Sequence, residues 1–128
     1  MPGATTAKQR SVLLIEDDAQ TRDAMSELLS GAGLRVIASD EGRKALELAS
    51  VTRPALVVLD LAMHGMNGWE FLERRGEVPA LAGVPVLVVT ASDGELPRGT
   101  SVLRKPVDPR VLLETIRALL RGAPGARA

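Results

Sequence analysis

Four short apolar runs in this chain each end on a polar side chain able to take part in chemistry. SVLLI is followed by Glu16, Asp17 and Asp18, ALVVL by Asp60, PVLVV by Thr90 and SVLR by Lys105. If Glu16, Asp17 and Asp60 meet, three carboxylates repel one another and something positive must offset them. A hard divalent cation fits: Mg²⁺ typically takes one or two carboxylates together with phosphate oxygens and waters. Lys105 supplies a point charge suited to phosphate, and Thr90 supplies a hydroxyl donor. A carboxylate nucleophile, a metal, a cation and a hydroxyl are the parts needed for phosphoryl transfer.

These residues come together only if the apolar runs lie side by side. Residues 11–15 are β-rich and apolar on both faces, as a buried parallel strand requires. Residues 34–38, 55–59, 86–89 and 101–104 read as four further strands. Between them, apolar side chains recur at helical spacing. A helix capped by Asp17 or Asp18 runs to about residue 30 and ends at Gly31 and Gly33. A second begins at Asp40 as N-cap and runs to about residue 50, before Pro54. A short third covers 69–75. A last one has Asp108 as N-cap and Pro109 at its first position. Its expected inner stripe is Val111, Leu112, Thr115, Ile116, Leu119 and Leu120. Strand–helix alternation of this kind implies a parallel sheet with helices on both faces. The strand order 2-1-3-4-5 is taken by analogy with flavodoxin-like doubly wound sheets. In that order the carboxyl ends of strands one and three flank the point where strand order reverses, which is where ligands bind. Glu16, Asp17 and Asp60 would then share one crevice.

Composition narrows the alternatives. The chain has 128 residues, 45% of them apolar, enough for one domain with a packed core. Sixteen basic residues balance sixteen acidic ones, which gives no electrostatic case for nucleic acid or an anionic membrane. With no cysteine, disulfides and thiolate metal sites are excluded. Trp69 and Phe71 are the only aromatics among Phe, Trp and Tyr, so base-stacking platforms are not expected. No stretch approaches the ~20 apolar residues of a membrane span, and MPGATTAKQR lacks a signal-peptide core. A cytoplasmic protein is expected, with a flexible start over 1–9, one domain over 10–121 and a flexible tail over 122–128.

The blocks VLLIEDDAQTR, PALVVLDLAMHGMNGWEF, VPVLVVTAS and LRKPVD resemble those of response-regulator receiver domains of two-component signalling. The resemblance runs from about residue 10 to 121. It implies that Glu16 and Asp17 hold Mg²⁺, Asp17 more directly, with Asp60 and the backbone carbonyl of Ala62 as further ligands. It implies that Asp60 is the phosphorylated residue, that Thr90 is the switch hydroxyl, and that Lys105 pairs with the phosphoryl group. It also implies a cis Lys105–Pro106 peptide. The expected role is a signalling switch rather than an enzyme, phosphorylated by a histidine kinase or a histidine phosphotransfer protein and acting on a downstream protein. A phosphorylation-independent pseudo-receiver that only binds partners is the alternative.

Several positions depart from the family pattern. His64 replaces a usual proline and Asn67 a common aspartate; both are expected to be tolerated because Gly65 and Gly68 keep the loop flexible. Val102 stands where Tyr or Phe is usual. Residues 91–100, ASDGELPRGT, are too few and too rich in Gly and Pro to hold a full crossover helix, so the fourth helix should be missing or reduced. Trp69 reads as a cover for the core edge, His64 as a solvated loop residue, and Met63 and Met66 as loop packing. A phosphatase of the haloacid-dehalogenase type needs a second aspartate two residues after the nucleophile as general acid, and Ala62 stands there. The G-x-x-x-x-G-K and G-x-G-x-x-G nucleotide motifs are absent.

Overall fold

A run such as SVLLI has no polar face to offer to water, so it needs cover on both sides. In the computed structural model, which describes residues 10–63 and 67–122, such runs form a five-stranded, wholly parallel sheet. Its strands are β1 (Ser11–Ile15), β2 (Arg35–Ser39), β3 (Leu56–Leu59), β4 (Val86–Thr90) and β5 (Ser101–Arg104), in the order β2-β1-β3-β4-β5. The helices are α1 (Ala19–Gly31), α2 (Gly42–Thr52), α3 (Gly68–Arg74) and α4 (Pro109–Leu120). Two 3₁₀ turns, Arg75–Glu77 and Pro79–Leu81, lead from α3 to β4. The order 2-1-3-4-5, taken by analogy with flavodoxin-like sheets, is the order observed.

Strand alternation divides the core in two. Leu13, Ile15, Val57, Leu59, Val86, Val88 and Val102 face Ala45 and Ala49 of α2 and Phe71 of α3. Val12, Leu14, Leu56, Val58, Leu87, Val89 and Leu103 face Met25 and Leu29 of α1 and Leu112, Ile116 and Leu119 of α4. Each fully buried Val, Leu or Ile contributes about 1.5–3 kcal/mol, so β1, β3 and β4 anchor the sheet.

Helix ends follow local chemistry, with some corrections to expectation. The Asp18 carboxylate accepts the N–H of Thr21 at 2.9 Å and caps α1. Asp108 accepts from Arg110 N–H at 2.8 Å and caps α4, with Pro109 in its first turn. Asp40 does not cap α2. The N-cap is Glu41, which makes no side-chain cap bond, and Asp40 instead pairs with Lys44 one turn on at 3.1 Å. Val111, expected in the inner stripe of α4, is 40% exposed, and Trp69 at the start of α3 is 37% exposed. In α4 the buried stripe is Leu112, Ile116 and Leu119. His64, Gly65 and Met66 lie outside the described residues, as do 1–9 and 123–128.

No helix joins β4 to β5. The expectation for 91–100 holds, and this segment crosses the sheet as a strap. Leu96 packs on the α2/α3-side core, Pro97 and Thr100 are buried, and the Thr100 hydroxyl donates to the Pro97 carbonyl at 3.1 Å. Arg104 donates to the Ser92 carbonyl, and its guanidinium lies 3.9 Å from Asp93. Val102, 1% exposed, fills the core beneath.

Phe71 is the largest fully buried side chain, whereas Val51 is 80% exposed. Phe71→Ala should cost about 3–5 kcal/mol in urea unfolding, and Val51→Ala less than about 0.5 kcal/mol.

Candidate functional site

The parallel arrangement sets the carboxyl ends of all five strands on one edge. β1 and β3 are neighbours there, with Ile15 paired to Leu59, so Glu16 and Asp60 emerge side by side. The Asp60 N–H donates to the Ile15 carbonyl at 3.1 Å, which extends the ladder into the site. Both residues are buried, Glu16 at 2% and Asp60 at 8% exposure. Oxygens of Glu16, Asp17 and Asp60 lie within 4.8 Å of one another.

Lys105 arrives from the far side of β4. Its N–H donates to the Thr90 carbonyl at 3.0 Å, adding one rung beyond the β4–β5 ladder. Its ammonium then reaches Glu16 Oε1 at 2.6 Å and Asp60 Oδ2 at 3.1 Å. The Lys105–Pro106 peptide is cis, as the resemblance implied. The other Asp60 oxygen, Oδ1, accepts the Ala62 N–H at 3.2 Å.

Burial raises the Glu16 pKa above the ordinary glutamate value, and the hydrogen bond from Lys105 offsets this only in part. Burial alone would lower the pKa of Lys105, but its bonds to Glu16 and Asp60 outweigh that and raise it. The lysine therefore stays charged and compensates two carboxylates.

Thr90, 1% exposed, lies at the end of β4. Its hydroxyl oxygen accepts the Ser92 N–H at 3.2 Å and makes no bond to Asp60 or Lys105 among the described residues. The structure thus brings Glu16, Asp17, Asp60 and Lys105 together and sets Thr90 one strand away. Ala62 is at the exposed rim.

Two residues of the site were not read correctly from the sequence. Gly68 is not a source of loop flexibility. It is buried as the first residue of α3, and a Cβ there would lie 2.5 Å from both the Asp60 carbonyl oxygen and Leu61 Cα. Its N–H donates to the Leu61 carbonyl at 2.9 Å, so α3 starts pressed against the backbone of Asp60. Asn67 caps that helix by accepting from Glu70 N–H at 3.0 Å, which accounts for a residue other than aspartate being tolerated there. Arg22 was missed altogether; it bonds the backbone carbonyls of Glu16 and Asp17. Its one sequence signal is a basic residue five positions after Asp17 on the first turns of α1.

The fold and the edge define a doubly wound α/β protein with an acidic cluster at its switch point. The chain belongs to the response regulator receiver domain family, whose model matches residues 12–117. It is 28% identical over 118 residues to Protein PilH of Pseudomonas aeruginosa, spanning 87% of this chain and 98% of that one. It is 35% identical over 118 residues to the transcriptional regulatory protein AfsQ1 of Streptomyces coelicolor, covering 87% of this chain but only 51% of the regulator. Among solved structures, the chemotaxis response regulator CheY4 of Vibrio cholerae superposes with a TM-score of 0.79 at 27% identity, over 88% of this chain and 99% of that one. Among the described residues no helix is long and apolar enough to cross a membrane.

Two outcomes follow from this geometry. Gly68→Ala forces a Cβ into backbone that cannot yield and should cost about 2–3 kcal/mol in urea unfolding. Gly76→Ala, where nothing lies within 4 Å of the added Cβ, should stay within about 0.5 kcal/mol. Because the folded-state pKa of Glu16 is raised, the folded protein holds that proton more tightly than the unfolded chain does. The contribution of Glu16 to stability is full below the ordinary glutamate pKa of 4.5 and declines as pH rises through the folded value. In chelator-treated protein Glu16→Gln should therefore melt above the parent at pH 7, with the gain disappearing below about pH 4.5; thermal melts across that range decide it.

Proposed function

We propose that this receiver domain, spanning residues 10–121, accepts a phosphoryl group on Asp60 from a phosphohistidine and changes its affinity for a partner protein as a result. The observation that carries this reading is the Asp60 carboxylate, held at one oxygen by Lys105 and at the other by the Ala62 N–H, beside Glu16 and Asp17. A cluster of hard oxygen donors of this kind fits a cation of the Mg²⁺ type. Asp17, Asp60 and the Ala62 carbonyl would hold it most directly. Glu16 is already bonded to Lys105 at 2.6 Å and to Asp18 N–H at 3.2 Å, and would contribute from behind. Mg²⁺ bound there would neutralise charge on the oxygens of the transferred group.

In the transfer, an Asp60 carboxylate oxygen forms the new bond to phosphorus while the phosphorus–nitrogen bond to the donor imidazole breaks. The departing imidazole nitrogen is left to take up a proton. Lys105 fixes the rotation of the Asp60 carboxylate and presents a positive charge to the incoming phosphoryl oxygens. Thr90, at the end of the adjacent strand, is the hydroxyl we assign to the phosphorylated state. The donor is a histidine kinase or a histidine phosphotransfer protein, and the setting is the bacterial cytoplasm.

Incubation with Mg²⁺ and acetyl phosphate should add the mass of one phosphoryl group to the intact protein. Asp60→Asn should abolish that addition, and Lys105→Ala should leave less than about a tenth of the initial rate. An unmodified parent protein, or equal uptake by Asp60→Asn, would overturn the assignment and favour a pseudo-receiver that binds partners without phosphate.

A further inference from the structure

The carboxylates at the edge of the sheet are useful only if their side chains are aimed correctly. Glu16 and Asp60 are fixed by burial and by Lys105. Asp17 is different: it is only half-buried and lies in the tight connection from β1 to α1. The direction of its Cα–Cβ bond is set by the two peptide planes on either side of it. The carbonyl oxygen of one plane belongs to Glu16 and that of the other to Asp17. A single guanidinium nitrogen of Arg22, Nη1, lies 2.9 Å from the Glu16 oxygen and 3.5 Å from the Asp17 oxygen. Arg22 is itself half-buried and anchored in α1, where its own N–H donates to the Asp18 carbonyl at 2.9 Å.

We propose that Arg22 is a positioning residue for cation binding: by holding both peptide planes that flank Asp17, it fixes φ and ψ there and aims the Asp17 carboxylate at Glu16 and Asp60. This rests on the reading of the acidic cluster as a Mg²⁺ site. The neighbouring tethers do not replace it. The Glu16 N–H bond to the Ser39 carbonyl, at 3.0 Å, holds the peptide before Glu16, and the Asp18 cap holds the start of α1. The Asp18 N–H bond to Glu16 Oε2, at 3.2 Å, reaches the plane after Asp17 but not the one before it. None controls both planes around Asp17.

The sign of the effect separates this role from a purely electrostatic one. A nearby cation repels Mg²⁺, so an Arg22 acting only through its charge would weaken metal binding, and its removal would strengthen it. An Arg22 acting through the two carbonyls does the opposite. Methionine keeps the aliphatic stem and a helix propensity close to that of arginine. Groups that orient metal ligands typically alter metal affinity by 10–100-fold when removed.

The experiment is isothermal titration of chelator-stripped protein with MgCl₂, for the parent, Arg22→Met and Arg22→Lys, with circular dichroism as a check on folding. Arg22→Met should bind Mg²⁺ about tenfold or more weakly. Arg22→Lys, which keeps donors able to reach the carbonyls, should fall between it and the parent. Equal or tighter Mg²⁺ binding by Arg22→Met would overturn the positioning role while leaving the site itself intact. So would a lysine variant as weak as the methionine one. A parent that binds no Mg²⁺ would overturn the metal reading itself, and the role of Arg22 with it.

Discussion

One ammonium is shared by two buried carboxylates, and the arrangement of the edge depends on it. Glu16 and Asp60 stand on adjacent strands with little access to water. Without a cation between them, one would have to give up its charge or the strands would have to part. Lys105 comes from β5, which is separated from β3 by β4. It gets there because the ladder continues one rung past Arg104, from Lys105 N–H to the Thr90 carbonyl, and because the side chain then spans the end of β4. The strand order therefore brings the site together as well as defining the fold. In this order β1 and β3 are neighbours and β5 lies beside β4, and from there a single lysine touches both carboxylates.

The same local device closes four of the five strands. At each exit a side-chain oxygen accepts the N–H two residues on: Glu16 from Asp18, Ser39 from Glu41, Asp60 from Ala62 and Thr90 from Ser92. These are the residue types that bend a chain by competing for its own backbone donors. A carboxylate or hydroxyl at a strand end thus has a structural reason to be there whether or not it does chemistry. At Asp60 this turn bond falls on the residue proposed as the phosphoryl acceptor. The turn bond occupies Oδ1 and Lys105 occupies Oδ2. Taken one at a time, a turn-former and a nucleophile look alike; the convergence of Glu16, Asp17, Asp60 and Lys105 on one crevice is the ground for proposing chemistry there.

That convergence was legible in part: period marks the strands and their ends, while the strand order came by analogy with flavodoxin-like sheets. The apolar runs marked the strands to within a residue at each end, and the runs ended on the polar groups that matter. What escaped has a common physical character. Asp40 resembled a cap, but the Ser39 hydroxyl one residue earlier forms the turn with Glu41 and leaves Asp40 to Lys44. Val111 is an apolar residue that the actual phase of α4 turns outward. Gly68 and Arg22 act on backbone atoms, one by close approach to the Asp60 carbonyl and the other by bonds to the carbonyls of Glu16 and Asp17. Side-chain patterns report which residues face each other. They carry little information on which residues face the main chain.

The two departures in the second half of the chain are one structural fact. A ten-residue connection without a helix can cover the outer strands only by lying flat, and it does so with Leu96 and Pro97 directed inward. Beneath such a cover there is little room for a large ring at position 102, since added volume in a packed core strains its surroundings. Valine fits: it is the register partner of Val88 and is buried in the core cluster against which Leu96 packs. No bulky side chain is therefore available at this position to swing between an inner and an outer rotamer. The bonded path leading away from Thr90 runs instead through the strap: from the Thr90 hydroxyl to Ser92 N–H, and from the Ser92 carbonyl to Arg104. Arg104 directly precedes Lys105, and its register partner across the β4–β5 ladder is Thr90. The path thus starts at Thr90 on β4 and ends on β5, next to Lys105. Any displacement of Thr90 toward Asp60 must move the strap's first residues with it or break the bond to Ser92.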